Sequence, residues 1–274
     1  MLREIVKTRL LQDQFLILGI LNLTPDSFSD GSLYFSPKQA LDRALKLLED
    51  GADILDLGGE STRPGAQLVD SDEEWRRLEP VIRSLKNIDE KILISIDTSK
   101  PLIMKKAVDL GVSCINNVCG LVDDKTLEYI ASAQCSYIAM HMHGVPQTMQ
   151  ACPLVKNQVL EDVNHFFSLA HQKLLSCGFT KDRIWMDPGI GFGKTDSSNL
   201  LLLRSLKDFS EKYNMAVGLS RKSFLGRIFN IEKAQDRDLS SKAFEINAFF
   251  LGARMIRTHD VKNLKSIMLL GDRV

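Results

Sequence analysis

Acids, amides and cations stand at the ends of eight short apolar runs in this chain. The run 15–22 ends on Asn22, 54–58 leads into Gly58-Gly59-Glu60, 92–97 ends on Asp97, and 113–118 carries Asn116. Further along, 137–141 ends on His141, 184–187 on Asp187, 216–220 leads into Ser220-Arg221-Lys222, and 255–258 delivers Arg257 beside His259. Asn, Asp and Ser also serve as turn and cap residues after any strand, so one such position carries little weight. Their recurrence carries more. Thr98 and Ser99 already offer hydroxyl caps after Asp97, which leaves that carboxylate available to a ligand. Asp187 closes an apolar run and would sit partly desolvated unless a cation such as Lys222 pairs with it. His141 and His143 alternate along an extended segment and face opposite sides, a poor chelating pair. A metal held by the protein alone is therefore not expected; an Mg²⁺ shared between one protein amide or carboxylate and a bound ligand fits better. The segment Gly189-Ile190-Gly191-Phe192-Gly193-Lys194 lacks the full spacing of a phosphate-cradling glycine loop. Its alternating glycines would instead let the backbone approach a flat ligand, with Phe192 stacked on one face.

The elements that must position these residues are legible in the hydropathy pattern. Short, nearly continuous apolar runs suit parallel strands buried on both faces. Helical patterns lie between them over 37–50, 73–86, 101–110, 155–177 and 239–251. Ser36 before Pro37, and Ser99 ahead of Pro101, place a capping hydroxyl before a helix-compatible proline. Strand and helix alternating eight times predict an α/β chain closed as a (β/α)₈ TIM barrel. Its 274 residues form a single domain over 1–274, close to the roughly 250 that this fold takes. Active sites of such barrels are built at the C-terminal ends of the strands, where the polar residues fall.

Bulk composition narrows the partners. The 35 Lys and Arg residues are matched by 35 Asp and Glu, so no positive excess is available to release counterions from a nucleic-acid backbone. No uncharged apolar run approaches the roughly 20 residues of a membrane span, and the expectation is a cytoplasmic protein without membrane contact. The five cysteines are an odd set lacking any CxxC pair. They predict reduced, mostly buried thiols rather than a disulfide framework or a zinc site.

Six motifs then stand in order along the chain: Gly-Ile-Leu-Asn-Leu-Thr-Pro-Asp-Ser-Phe-Ser-Asp-Gly over 19–31, Gly-Gly-Glu-Ser-Thr-Arg-Pro-Gly-Ala over 58–66, Ile-Asp-Thr-Ser-Lys-Pro over 96–101, Asp-Pro-Gly-Ile-Gly-Phe-Gly-Lys over 187–194, Ser-Arg-Lys-Ser over 220–223, and Arg-Thr-His-Asp over 257–260. Together they resemble the dihydropteroate synthase family over essentially the whole chain. The resemblance implies condensation of 7,8-dihydropterin-6-ylmethyl diphosphate with p-aminobenzoate, sensitivity to sulfonamides, Mg²⁺ and a homodimer. It implies a pterin pocket of Asp97, Asn116, Met140, Asp187, Phe192 and Lys222. Asn22 matches the family's Mg²⁺ and diphosphate asparagine, and Arg257 and His259 its phosphate-binding pair. Phe28, Thr62, Arg63 and Pro64 fall on loops that resemble those closing over p-aminobenzoate, with Ser223 beside its carboxylate. Gly, Pro and Ser in 24–32 and 61–66 predict mobile loops rather than a preformed wall.

Two departures from the family pattern are visible. Its Ile-Asn-Asp run reads Ile115-Asn116-Asn117 here, and Ile190 stands where phenylalanine is frequent. The rival readings are a pterin-binding barrel that presents methyltetrahydrofolate to a cobalamin protein, and a non-catalytic paralogue that retains pterin or phosphate binding. The first has little use for Ser-Thr-Arg-Pro-Gly or the Arg257/His259 pair, and the intact loop motifs argue against the second.

Overall fold

The computed structural model describes residues 2–12, 14–24, 36–61, 66, 68–145 and 148–271. Helix α1 (Leu2–Leu11) precedes strand β1 (Leu16–Asn22), followed by α2 (Pro37–Glu49), β2 (Ile54–Gly58), α3 (Ser71–Ile88), β3 (Ile94–Asp97) and α4 (Pro101–Asp109). The chain continues through β4 (Cys114–Asn117), α5 (Asp124–Ser132), β5 (Ser136–Met140), α6 (Val159–Ser176) and β6 (Ile184–Asp187). It ends with α7 (Asp196–Arg204), α8 (Leu206–Ser210), β7 (Asn214–Gly218), α9 (Ser223–Phe229), α10 (Asp238–Phe250), β8 (Ala253–Thr258) and α11 (Val261–Gly271). Each strand pairs in parallel with the next, and β8 closes on β1 through Leu18 opposite Arg257. The result is the (β/α)₈ barrel that the apolar runs predict.

Side chains alternate across each strand, so every second residue points into the barrel. Leu16, Leu18, Ile54, Leu93, Cys114, Ile138, Trp185, Ala216 and Met255 pack together as one buried cluster. Leu2 and Val6 of α1 belong to the same cluster, so this helix plugs one end of the barrel. The sequence pattern did not single out α1 as an element, because its apolar residues are diluted by charges. The alternate strand residues Leu55, Leu57, Ile115, Tyr137, Ala139, Met186 and Val217 face outward into the larger core beneath the helices.

One predicted cap differs. Ser36 accepts from Gln39 N at the start of α2, as expected. Ser99 does not cap α4: Lys100 is its N-cap residue and makes no side-chain cap bond. The Lys100 ammonium has no acceptor to offer the N–H groups of a helix start; it pairs instead with the partly buried Glu60 and the fully buried Glu74. Among the described residues no helix is long and apolar enough to cross a membrane. Cys114, Cys135 and Cys177 are buried free thiols, whereas Cys119 and Cys152 are exposed.

Candidate active site

The pocket at the strand ends grows directly from the barrel's alternation. Two residues beyond the apolar layer, Ile54 leads to Asp56, Cys114 to Asn116, Ile138 to Met140, Trp185 to Asp187, Ala216 to Gly218 and Met255 to Arg257. Strand register aligns these positions: Asn22 lies opposite Gly58, Gly58 opposite Asp97, Asp97 opposite Asn116, Met140 opposite Asp187, and Gly218 opposite Arg257. Asp97, Asn116, Met140, Asp187, Phe192, Lys222 and Arg257 therefore line one cavity. Six were expected for the pterin, and Arg257 joins them from the pair expected at phosphate.

Arg257 is the hub. Its Nε donates to Asp56 Oδ2 at 2.5 Å and its terminal nitrogen to Asp97 Oδ2 at 2.7 Å. Asn116 Nδ2 also donates to Asp56 Oδ2, at 3.3 Å. Asp56 Oδ1 and Asp97 Oδ1 are buried without a hydrogen-bond partner among the described residues, and at Asp97, which lines the cavity, this calls for a donor from outside the protein. Burial pushes the Asp97 carboxyl up to about 7, against the opposing pull of Arg257, and the neighbouring Asp56 adds to the rise. Desolvation brings the Lys222 ammonium down to about 8, with Asp187 acting in the opposite direction. Burial also raises the pKa of Asp187, whose Oδ1 accepts Gly189 N at 2.7 Å. The Asp187 and Lys222 charges thus support each other across one cavity, as the sequence predicts.

The glycine segment is used differently from expectation. A Cβ on Gly189 would stand 1.8 Å from His141 O, and one on Gly193 would stand 2.2 Å from His143 O; both residues have positive φ. The backbone of the adjoining β5 segment, rather than a flat ligand, demands these two glycines. Lys194 is 1% exposed and donates to the carbonyls of His141, Gly189 and Phe192 at 3.0–3.2 Å. It clamps the turn from within, and burial lowers its pKa to about 7. Phe192 is left facing the mouth with Lys222 Nζ 4.0 Å from its ring centre. His141 points to Asp162, 2.8 Å from its Nε2.

At the end of β1, Asn22 Oδ1 lies beside Gly58, 3.6 Å from where a Cβ on that glycine would stand. His259 Nδ1 and Ser220 Oγ share a hydrogen bond of 3.0 Å, and the His259 backbone N–H donates to the same oxygen at 3.2 Å. Ser223 is exposed at the start of α9, adjoining Lys222. Phe28, Thr62, Arg63 and Pro64 lie outside the described residues, as does most of the two loops expected to be mobile. The stem of the second loop is well tied: Glu60 accepts from Val69 N and from Lys100 Nζ, both at 2.7 Å.

The pattern of the pterin binding enzyme family matches residues 18–259. Dihydropteroate synthase of Haemophilus influenzae is 40% identical over 246 residues, covering 89% of this chain and 88% of that protein. This chain belongs to the dihydropteroate synthase family. The Escherichia coli enzyme of that name is 39% identical over 253 residues, covering 92% of this chain and 89% of its own. Among solved structures, Xanthomonas albilineans dihydropteroate synthase with 4-aminobenzoic acid aligns with a TM-score of 0.87 at 36% identity, over 96% of this chain and 93% of that one.

Of the two departures from the pattern of the dihydropteroate synthase family, Ile190 lines the cavity, and Asn117 stands next to the cavity residue Asn116 without lining it. Asn117 is fully buried, donates to the Tyr137 hydroxyl at 2.8 Å and accepts from Cys119 N at 2.9 Å. Both partners lie on the outer side of β4. Asn117→Asp can keep both contacts, because a hydroxyl reverses its role and the carboxylate still accepts from the amide. Turnover is expected to change by less than about tenfold, equivalent to about 1.4 kcal/mol of barrier. Steady-state rates of the two proteins check this, and a larger change would place Asn117 in direct command of the chemistry.

Proposed function

We propose that this chain condenses 7,8-dihydropterin-6-ylmethyl diphosphate with p-aminobenzoate, forming 7,8-dihydropteroate and pyrophosphate. The observation that carries this reading is the unpartnered carboxylate oxygen of Asp97 in a cavity that also presents Asn116, Asp187 and Lys222. An aminopyrimidinone ring offers N–H donors to the carboxylates and acceptors to the amide and the ammonium. Phe192 and Met140 supply the apolar contact that a flat ring requires.

The substrate's exocyclic methylene then lies toward the rim. Its C–O bond to the diphosphate breaks with the electron pair leaving on oxygen, and electron density from the dihydropterin ring supports the carbon. The amine of p-aminobenzoate forms the new C–N bond and releases a proton to water. Arg257, His259 and Asn22 stabilise the charge of the departing pyrophosphate, electrostatic catalysis without a protein nucleophile. Asn22 offers the kind of hard oxygen donor that Mg²⁺ takes beside phosphate oxygens and water, and bound Mg²⁺ would supply further charge neutralisation there. Phe28, Thr62, Pro64 and Ser223 complete this reading on the p-aminobenzoate side, and Arg63 joins Asn22, Arg257 and His259 as a catalytic residue. The Yersinia pestis relative has been solved with a sulfonamide drug, and sulfonamides are expected to compete with p-aminobenzoate here. The reading includes a homodimer, which is supported by the exposure of Leu239 (85%) and Phe250 (77%) on α10. Light scattering should then find a dimer rather than the 30.8 kDa chain.

The deciding assay is pyrophosphate release. It should require both the pterin diphosphate and p-aminobenzoate; release with either substrate alone at the same rate would refute the condensation.

The ionisations give a second test. Below about pH 7 Asp97 takes up its proton and no longer offers a carboxylate to a pterin N–H, so affinity falls as pH decreases. Above about pH 8 Lys222 loses its proton, and affinity falls as pH increases. Calorimetry with 6-hydroxymethyl-7,8-dihydropterin at about pH 6, 7.5 and 9 is expected to show a maximum at the middle value, with the two apparent pKa values belonging to the coupled set. A flat profile would exclude these groups from recognition.

A further inference from the structure

Arg221, immediately before Lys222, has φ +59°, the left-handed region that residues with a Cβ avoid. Its backbone N–H, its carbonyl and its guanidinium are all held by Arg237, the N-cap residue of α10, and by the first residues of that helix. Its backbone N–H donates to Ser241 Oγ at 2.9 Å, and its carbonyl accepts from Arg237 at 3.2 Å. Its guanidinium makes two bonds of 2.8 Å to the two oxygens of Asp238. Ser241 is itself fully buried and donates to Arg237 O at 2.8 Å, which fixes the hydroxyl's remaining lone pairs toward Arg221. On one side, Ser220 holds His259. On the other, Lys222 places its ammonium over Phe192 in the mouth.

We propose that Asp238 and Arg221 are positioning residues for the pterin site: the first turn of α10 holds Arg221 in its left-handed conformation, and that conformation sends Lys222 into the pocket. Neither residue lines the cavity. Released from Asp238, Arg221 gains by returning to negative φ, and a change of backbone direction at 221 is magnified along the four-carbon stem of Lys222. Glycine at 221 adopts positive φ without steric penalty. It therefore retains the turn without the Asp238 anchor.

The proposal rests on Lys222 as a pterin contact, and Lys222→Ala serves as the separate check on that reading. Asp238 and Arg221 are both partly exposed, so their variants should fold. In Asp238→Ala the dissociation constant of 6-hydroxymethyl-7,8-dihydropterin is expected to rise about tenfold, with kcat at saturating substrates changed less than about twofold. Adding Arg221→Gly to Asp238→Ala should bring the constant back to within about threefold of wild type. A merely structural role would lower the melting temperature and leave the affinity of the folded protein unchanged, and that result would overturn the proposal. So would failure of the glycine to rescue. Weakened binding in Asp238→Ala beside normal binding in Lys222→Ala would show that Lys222 is not the group being positioned, which refutes the underlying site reading as well.

Discussion

Arg257→Ala is expected to lower turnover by about 10²–10³-fold, the scale of losing one preorganised charge donor, and to destabilise the fold by about 3–5 kcal/mol. The two effects share one origin. Arg257 bridges Asp56, which is fully buried, and Asp97, which is 6% exposed; without it two carboxylates remain in the barrel with no cation between them. The stability loss should depend on pH in a defined direction. Asp97 already has a folded pKa raised to about 7, and loss of Arg257 raises it further. A carboxyl with a raised folded pKa holds its proton more tightly in the folded than in the unfolded state, so stability falls as pH rises from the unfolded value toward the folded one. The deficit of Arg257→Ala relative to wild type should therefore be larger at about pH 8 than at about pH 5.5, measured by urea unfolding. Arg257→Lys separates the two effects. A lysine restores one positive charge but not the fork that reaches both carboxylates, so it should recover much of the stability and little of the turnover. A deficit independent of pH, or full recovery of turnover by lysine, would remove the carboxylate bridge from the explanation.

Asp56 shows where sequence reading stopped. It sits inside the run Ile54-Leu55-Asp56-Leu57-Gly58, two residues short of the strand end, and attention to strand ends passes over it. The available signal was physical: an acid within a strand buried on both faces must find a cation, and the chain offered one in Arg257. Lys194 was equally visible, at the close of the glycine segment, yet its inward turn follows from carbonyls of His141, Gly189 and Phe192 that come together only in three dimensions. The strands were the easiest part to read because both faces are buried and hydrophobicity is continuous. Their alternate residues then fixed which side chains reach the mouth. Ser99 misled because capping chemistry is local, whereas the position of Lys100 is set by Glu60, just beyond β2, and Glu74 of α3. Arg221 could not be read as unusual at all, since a left-handed backbone at a residue other than glycine leaves no mark on sequence.

Lys222→Ala is expected to weaken binding of 6-hydroxymethyl-7,8-dihydropterin by roughly 10- to 150-fold, the equivalent of the 1.5–3 kcal/mol typical of a hydrogen bond to a charged group. Asp187→Asn should fall in the same range for a different reason. Asparagine can still accept from Gly189 N through its oxygen, so the turn survives, but an amide presents donors where the pterin needs an acceptor. The two substitutions also act on each other's ionisation. Asp187 opposes the desolvation that lowers the Lys222 pKa, so its neutralisation should move the alkaline limb of the pterin-binding profile to lower pH. Lys222→Ala should abolish that limb. On the proposed reading the lysine meets the ring rather than the departing diphosphate, so its loss should appear mainly in pterin affinity and KM, with a smaller change in kcat. Calorimetry on both variants, with circular dichroism to establish that each is folded, decides the matter. Wild-type affinity in both would remove Asp187 and Lys222 from the pocket, while a fall confined to kcat would move Lys222 from ring recognition to the departing pyrophosphate.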